Sequence, residues 1–147
     1  MKETEDCFLK VKKDYLKFLK KEKIFGKSNK NKIKNLKNYY IPMSFWIEKK
    51  YIEKKKTLFL GLSGGQGSGK TTISAILKII LKNFFNREVY ISSIDDYYKT
   101  LNERKKLSNK IHPLLKTRGV PGTHDINLVK KFFNQFYFVR AWHSSCF

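Results

Sequence analysis

The stretch GGQGSGKTT, residues 64–72, decides how the rest of the chain is read. Gly64, Gly69, Lys70 and Thr71 fit the pattern G-x-x-x-x-G-K-S/T, a loop that cradles phosphate. Each residue type there has a physical reason. Gly64, Gly65, Gly67 and Gly69 permit backbone angles closed to other residues and let amide groups approach phosphate oxygens. A helix opening near Lys70 points its unpaired N–H groups and positive dipole end at the same anion. Lys70 is expected to reach the β- and γ-phosphates and Thr71 to offer its hydroxyl to Mg²⁺, with Gln66, Ser68 and Thr72 completing the nucleotide-binding stretch. A glycine-rich turn that only imitates the pattern is the alternative, and an apolar run before it with a helical stripe after it argues against that. No guanine-reading N-K-x-D motif is present, so ATP is the expected nucleotide.

Working outward, TLFLGLS (57–63) is a short apolar run between lysines and glycines, which suits a strand buried on both faces. Beyond the loop, Ile73, Ile76, Leu77, Ile80, Leu81, Phe84 and Phe85 recur at helical spacing, the core-facing stripe of a helix packed on a sheet. REVYISSI (87–94) is the next expected strand. Short helical segments follow between Tyr98 and Asn109, and a last helix from about Asp125 carries Val129, Phe132, Phe133, Phe136 and Tyr137. Strand, helix, strand, helix implies an α/β fold: a P-loop NTPase-type parallel sheet with flanking helices.

Ahead of it stands an expected helical layer. Phe8, Val11, Tyr15, Phe18 and Leu19 form an amphipathic stripe within residues 4–25, which Gly26 is expected to end. KSNKNKIKN (27–35) reads as a polar connector, and a second helix is expected from Pro42, where proline suits a first turn. The expected division is an N-terminal helical segment, 1–56, and the N-terminal part of a P-loop domain, 57–147.

The formal charge of +20 invites a nucleic-acid reading. Of the 32 basic residues, however, only Arg87, Arg104, Arg118 and Arg140 are arginine, the residue that base reading and bidentate phosphate recognition favour. Lysine here travels with asparagine and isoleucine, as AT-rich coding would produce, so a solvated basic surface is expected rather than a nucleic-acid partner. Cys7 and Cys146 lack metal-ligand or disulfide-framework spacing. An acidic start and the lack of a long apolar run point to a cytoplasmic protein with no membrane partner.

SSIDDYYKT (92–100) carries Asp95 and Asp96 where the second expected strand runs out, the edge at which open α/β sheets bind ligands. A carboxylate there can take the proton of an attacking hydroxyl or help hold the metal; a polar strand exit is the other reading. Adjacent aspartates on an extended chain point in opposite directions, so one is expected to face the nucleotide. IHPLLKTRGVPGTHD (111–125) is too irregular for helix or strand and has the chemistry of a functional loop. Arg118 suits a carboxylate or phosphate, and His124 can donate to a substrate. Asp125 serves equally well as a helix N-cap, and His112 reads as structural.

Together GLSGGQGSGKTT, SIDDYYKT and HPLLKTRGVPGTHD, with YYIPMSFWIEKK (39–50), resemble the P-loop glycerate 3-kinase family and its bacterial and fungal kinase relatives. The likeness covers roughly residues 39–139 and extends distantly to uridine kinase, phosphoribulokinase and bacterial pantothenate kinase. It implies Asp95 as catalytic base beside Lys70, Thr71 and Asp95 as metal-holding groups, and an acceptor pocket from Asp96, Tyr97, Arg118, Gly119, His124 and Asp125. The implied reaction is transfer from Mg²⁺-ATP to D-glycerate, giving 3-phosphoglycerate. Such kinases continue with a further strand, an acidic residue beside the metal and a basic lid. Here the chain closes on NQFYFVRAWHSSCF (134–147), free of lysine. The expectation is a sheet incomplete on its C-terminal side, an exposed edge prone to self-association, and a foreign tail from about Phe138 in a truncated or frame-shifted product. A nucleotide-binding module, an RNA-associated ATPase and an inactive kinase fragment are the alternative functions.

Overall fold

The computed structural model describes residues 2–24 and 29–143, with side chains described as far as Phe136 except at Asn29. It divides into two compact units, Met1–Ile91 and Ser92–Phe147.

The first unit is helical. Helix α1, Lys2–Lys21, buries Phe8, Val11, Tyr15 and Leu19 of the expected stripe, adds Cys7 and leaves Phe18 half-buried, with acids in its first turn and lysines in its last. It ends earlier than Gly26. The Ile24 N–H bonds the Leu19 carbonyl and the Lys23 N–H bonds that of Lys20, with Lys23 in the left-handed region at φ 50°. Gly26 itself lies outside the described residues. The expected connector contains helix α2, Asn29–Asn35, which runs through a π-turn, Leu36–Tyr40, into helix α3, Ile41–Lys54. Proline explains the fault: Pro42 has no N–H, and its ring would crowd the carbonyl four residues back, so the preceding turn widens. The Ile41 N–H reaches back to Leu36 instead.

Helix α4, Lys70–Asn83, ties the unit together with two adjacent faces. Ile76 and Ile80 join α1, Leu36 and Ile41 in one cluster, while Leu77 and Leu81 meet Ile47 of α3 in a second. Each of these aliphatic side chains stabilises the unit by roughly 1.5–3 kcal/mol on full burial. Phe45, Phe84 and Phe85 interlock at centroid distances of 4.9–5.8 Å across the α3–α4 boundary. Arg87 reaches back to Glu48 through both Nε and Nη2 and lies over the Tyr51 ring at 4.7 Å. The hydrogen bonds to Glu48 raise its pKa further.

The parallel sheet read from the sequence is not there. Among the described residues there is no strand: 57–65 and 86–93 run outside any ladder, and the sole bridge is an isolated pair in the second unit. An apolar run signals burial, but a strand exists only through a partner that satisfies its backbone. Leu58 and Val89 find cover against the α3–α4 cluster instead of in a sheet, while Leu60, Leu62 and Ile91 stay exposed. The α/β assignment is thereby corrected to a helical one, and the sheet edge behind the expected self-association is absent from the described structure.

In the second unit a 3-10 turn, Ile94–Tyr97, leads to helix α5, Leu101–Lys110. A second 3-10 turn, Pro113–Lys116, and an irregular loop then lead to helix α6, Ile126–His143. Among the described residues its buried ones are few: Tyr97, Arg104, Leu115 and Thr123. Tyr97 packs edge-on against Phe132 of α6 at 5.6 Å, and its hydroxyl meets that of Ser92 at 2.6 Å. The tail expected to depart from family sequence lies outside the described residues at 144–147, and outside the described side chains from 137 on.

Candidate functional site

The phosphate loop belongs to the first unit. Gly67 and Gly69 adopt φ of 75° and 81°, angles at which a side chain would be strained, so glycine is needed at both. Gly69 is also the N-cap of α4 and has no side chain to cover its amides. The first helical bond runs from Ile73 N–H to Gly69 O at 2.9 Å, which leaves the N–H groups of Lys70, Thr71 and Thr72 ahead of it. The Lys70 ammonium folds over the loop and donates to the carbonyls of Gly64 and Gly65 at 2.7 and 2.8 Å. A cation on the loop and a helix start without a side-chain cap are the elements from which an anion site is built. Thr71 is exposed on the first turn of α4, whose carbonyls at 70 and 71 accept from Ser74 at 3.0 Å. Gln66 and Ser68 lie in the exposed turn between the glycines.

The acceptor-side residues belong to the second unit. Asp95 and Asp96 sit in a 3-10 turn rather than at a strand exit, and the turn gives them different work. The Asp96 carboxylate accepts the Ser93 N–H at 2.9 Å, while the Ser93 hydroxyl accepts the Asp95 N–H at 3.2 Å, a reciprocal cap. The Asp95 carboxylate has no hydrogen-bond or ionic partner among the described residues. Tyr97, expected in the acceptor pocket, is a core residue here, buried with its hydroxyl occupied.

The RGVPGTHD loop is bound to the aspartate turn by backbone. Asp125 N–H donates to Tyr97 O at 2.7 Å, and Lys99 N–H to Thr123 O at 2.9 Å, around the Tyr98–His124 bridge. Gly119 and Gly122, at φ of 90° and 91°, allow the loop to double back. Its side chains then gather on Tyr98: His124 stacks on the ring at 4.0 Å and the Arg118 guanidinium lies over it at 5.5 Å. His124 Nε2 is buried without a hydrogen-bond partner among the described residues. An orphaned buried nitrogen is uncommon in a folded chain and marks this loop as a place of interest. Asp125 caps α6 by accepting the Leu128 N–H at 3.0 Å, and His112 Nδ1 accepts that of Leu114.

Sequence reasoning missed Tyr98, the platform for both Arg118 and His124, and the buried Arg104. Arginine is rare in this lysine-dominated chain, and that rarity is the signal that could have flagged position 104. Among the described residues no cluster of three metal-ligating side chains occurs, and no helix is long and apolar enough to cross a membrane.

Comparison with known proteins places these features. No protein-family model and no solved structure matches the chain. Curated proteins do. The "Uncharacterized kinase mug58" of Schizosaccharomyces pombe is 37% identical over 93 residues, 62% of this chain and 33% of that protein. The "Probable ATP-dependent kinase TDA10" of Saccharomyces cerevisiae is 37% identical over 102 residues, 67% of this chain and 33% of that protein. The chloroplastic D-glycerate 3-kinase of Arabidopsis thaliana is 33% identical over 104 residues, 63% of this chain and 23% of that protein. The chain thus spans about a third or less of the length of these relatives. Over that part, the chain is similar to proteins named as kinases.

Proposed function

We propose that the chain carries the ATP-binding and acceptor-binding elements of a small-molecule kinase, with D-glycerate as acceptor and 3-phosphoglycerate as product. The observation that carries the reading is the 64–72 loop, where Lys70 folds back onto the Gly64 and Gly65 carbonyls ahead of a helix start with no side-chain cap. The second unit supports it with an unengaged carboxylate at Asp95 and an Arg118–Tyr98–His124 group suited to an acidic acceptor.

Lys70 and the amides opening α4 hold the β- and γ-phosphates and spread the charge that builds on the transferring group. Asp95 takes the proton of the acceptor's primary hydroxyl, and Asp96 holds the turn that presents it. Arg118 pairs with the acceptor carboxylate, and His124 stacks on the Tyr98 ring over which Arg118 lies. The exposed Thr71 hydroxyl is a hard oxygen donor on the first turn of α4 and would fit Mg²⁺, a cation that takes one or two protein oxygens alongside phosphates. Bound there, it would supply charge neutralisation between the phosphates. Transfer of this kind depends mainly on positioning and electrostatics, which preorganised loops provide.

The test is ATP turnover by the purified chain with D-glycerate, other small hydroxy acids and RNA. D-glycerate-dependent ADP release that disappears in Lys70→Ala supports the proposal. Turnover stimulated by RNA and by no hydroxy acid overturns it, and nucleotide binding with no turnover by any acceptor reduces the chain to a binding module.

A further inference from the structure

We infer that Arg104 is a positioning residue for the acceptor site, a buried cation that fastens the loop bearing Arg118 to the turn bearing Asp95. The inference rests on the kinase reading above and adds a residue that neither the motifs nor the family resemblance singled out. Arg104 lies in the first turn of α5, where its N–H bonds Thr100 O at 3.0 Å, and it is only 7% exposed. Its Nε donates to Lys99 O at 3.1 Å and its Nη1 to Lys116 O. Lys99 follows directly on Tyr98, and its own N–H already bonds Thr123 O. Lys116 closes the second 3-10 turn, two residues before Arg118. One guanidinium therefore joins DDYYK to PLLK, and the Lys99 peptide carries the connection on to RGVPGTHD.

The chemistry of the tie needs arginine. The planar fork sends two N–H groups toward carbonyls 17 residues apart in sequence, which a lysine head group, a point donor, does not reproduce. No carboxylate pairs with Arg104 among the described residues, so its charge is met by carbonyl dipoles alone. Burying an ion on those terms is unfavourable where packing is all that is required, because an apolar side chain of similar volume would serve. What the fork adds is a fixed spacing between the Tyr98 platform and the start of the Arg118 loop. Tyr98 in turn carries the stacked His124 and the Arg118 cation. An undisplaced loop keeps these groups in reach of the acceptor, and small displacements in such sites are felt strongly.

The experiment is steady-state kinetics of the whole chain with Arg104→Met and Arg104→Lys, varying ATP and D-glycerate separately. Arg104→Met is expected to raise the acceptor KM by about tenfold or more, with the ATP KM and kcat within about threefold of the parent. Arg104→Lys, which keeps the charge and loses the fork, should fall between the two. An unchanged acceptor KM overturns the inference, as does a parallel loss of kcat and both KM values with a lower melting temperature, the pattern of a purely structural residue. If the parent chain turns over no D-glycerate, the kinase reading fails by itself and the tie is read by NMR. Arg104→Met must then shift the His124 imidazole resonances and speed Lys99 amide exchange while α5 amides stay protected; unchanged spectra, or exchange rising uniformly across the unit, overturn it.

Discussion

The two units stabilise themselves in different ways. Met1–Ile91 is a hydrocarbon structure: Val11, Leu36, Ile41, Ile76 and Ile80 lie almost wholly out of water, and α4 carries its phosphate loop as the free end of a packed helix. Among its described residues, Ser92–Phe136 has little apolar interior and relies on polar connections, with capping boxes at Ser93 and Thr100, a buried arginine on two carbonyls and a threonine hydroxyl bonded to Val120 O. Apolar burial is non-directional and tolerates sliding, whereas hydrogen bonds fix direction. A rigid anion site can hang on the first kind of structure. An acceptor site that must discriminate one small molecule benefits from the second.

That contrast can be broken by experiment. The largest effect is expected from Lys70→Ala, which should lower ATP-dependent turnover by about a hundredfold or more while leaving amide exchange in the second unit unchanged. Next is Ile80→Ala, at the wholly buried centre of the first unit, which should cost about 2–5 kcal/mol, read from exchange of α1 and α4 amides. An equal loss of protection in α5 would mean that the two units unfold together and the division is only geometric.

Alkali should act on the first unit selectively. Burial raises the Cys7 thiol from its ordinary 9.0 to about 11 and the Tyr15 phenol from 10.0 to about 12. Both groups ionise more easily in the unfolded chain, so the stability tied to their neutral forms is complete below pH 9 and is lost as pH rises toward 12. The urea midpoint of α1 and α4 should fall across that window, and Cys7→Ser with Tyr15→Phe should flatten the fall.

The smallest effect belongs to the polar unit. Thr100→Ala removes one half of a capping box and should cost about 1 kcal/mol, visible in α5 alone. The same box has an acid limit. Hydrogen bonds from Thr100 hold the Glu103 carboxyl below its ordinary value, so the support it gives α5 is present above the usual carboxylate range and disappears as pH falls through the lowered value. Helicity lost in acid by the parent and by Thr100→Ala alike would remove that assignment.

How much of this was legible in the sequence follows from the range of each interaction. Helix α1, the start of α3 near Pro42, α4 opening at Lys70 and α6 opening after Asp125 are local features, and period, proline or cap announced each. The glycine turn ahead of Lys70 was legible for the same reason. The sheet was not, because TLFLGLS and REVYISSI say that they are apolar and cannot say what would pair with them. Helix α2 was hidden by poor helix formers and owes its form to Ile33, which packs on the core, and to continuity with α3. At the candidate site, Arg118 and His124 stood out by residue type. Tyr98 and Arg104 matter through what they hold, and such partners are set by tertiary contact.

The backbone at three helix ends leaves room for improvement. Lys23, Lys55 and Asn86 occupy left-handed angles, φ 50°, 50° and 54°, where nature commonly uses glycine. A lysine there carries steric strain of roughly 1–2 kcal/mol, against roughly 0.5–1 kcal/mol of added chain entropy for a glycine. Glycine at 23 and 55 should therefore raise the melting temperature of the first unit modestly, each change outside residues 64–72. This lysine-heavy chain would then be storing, at its helix ends, a reserve of stability that two residue changes release.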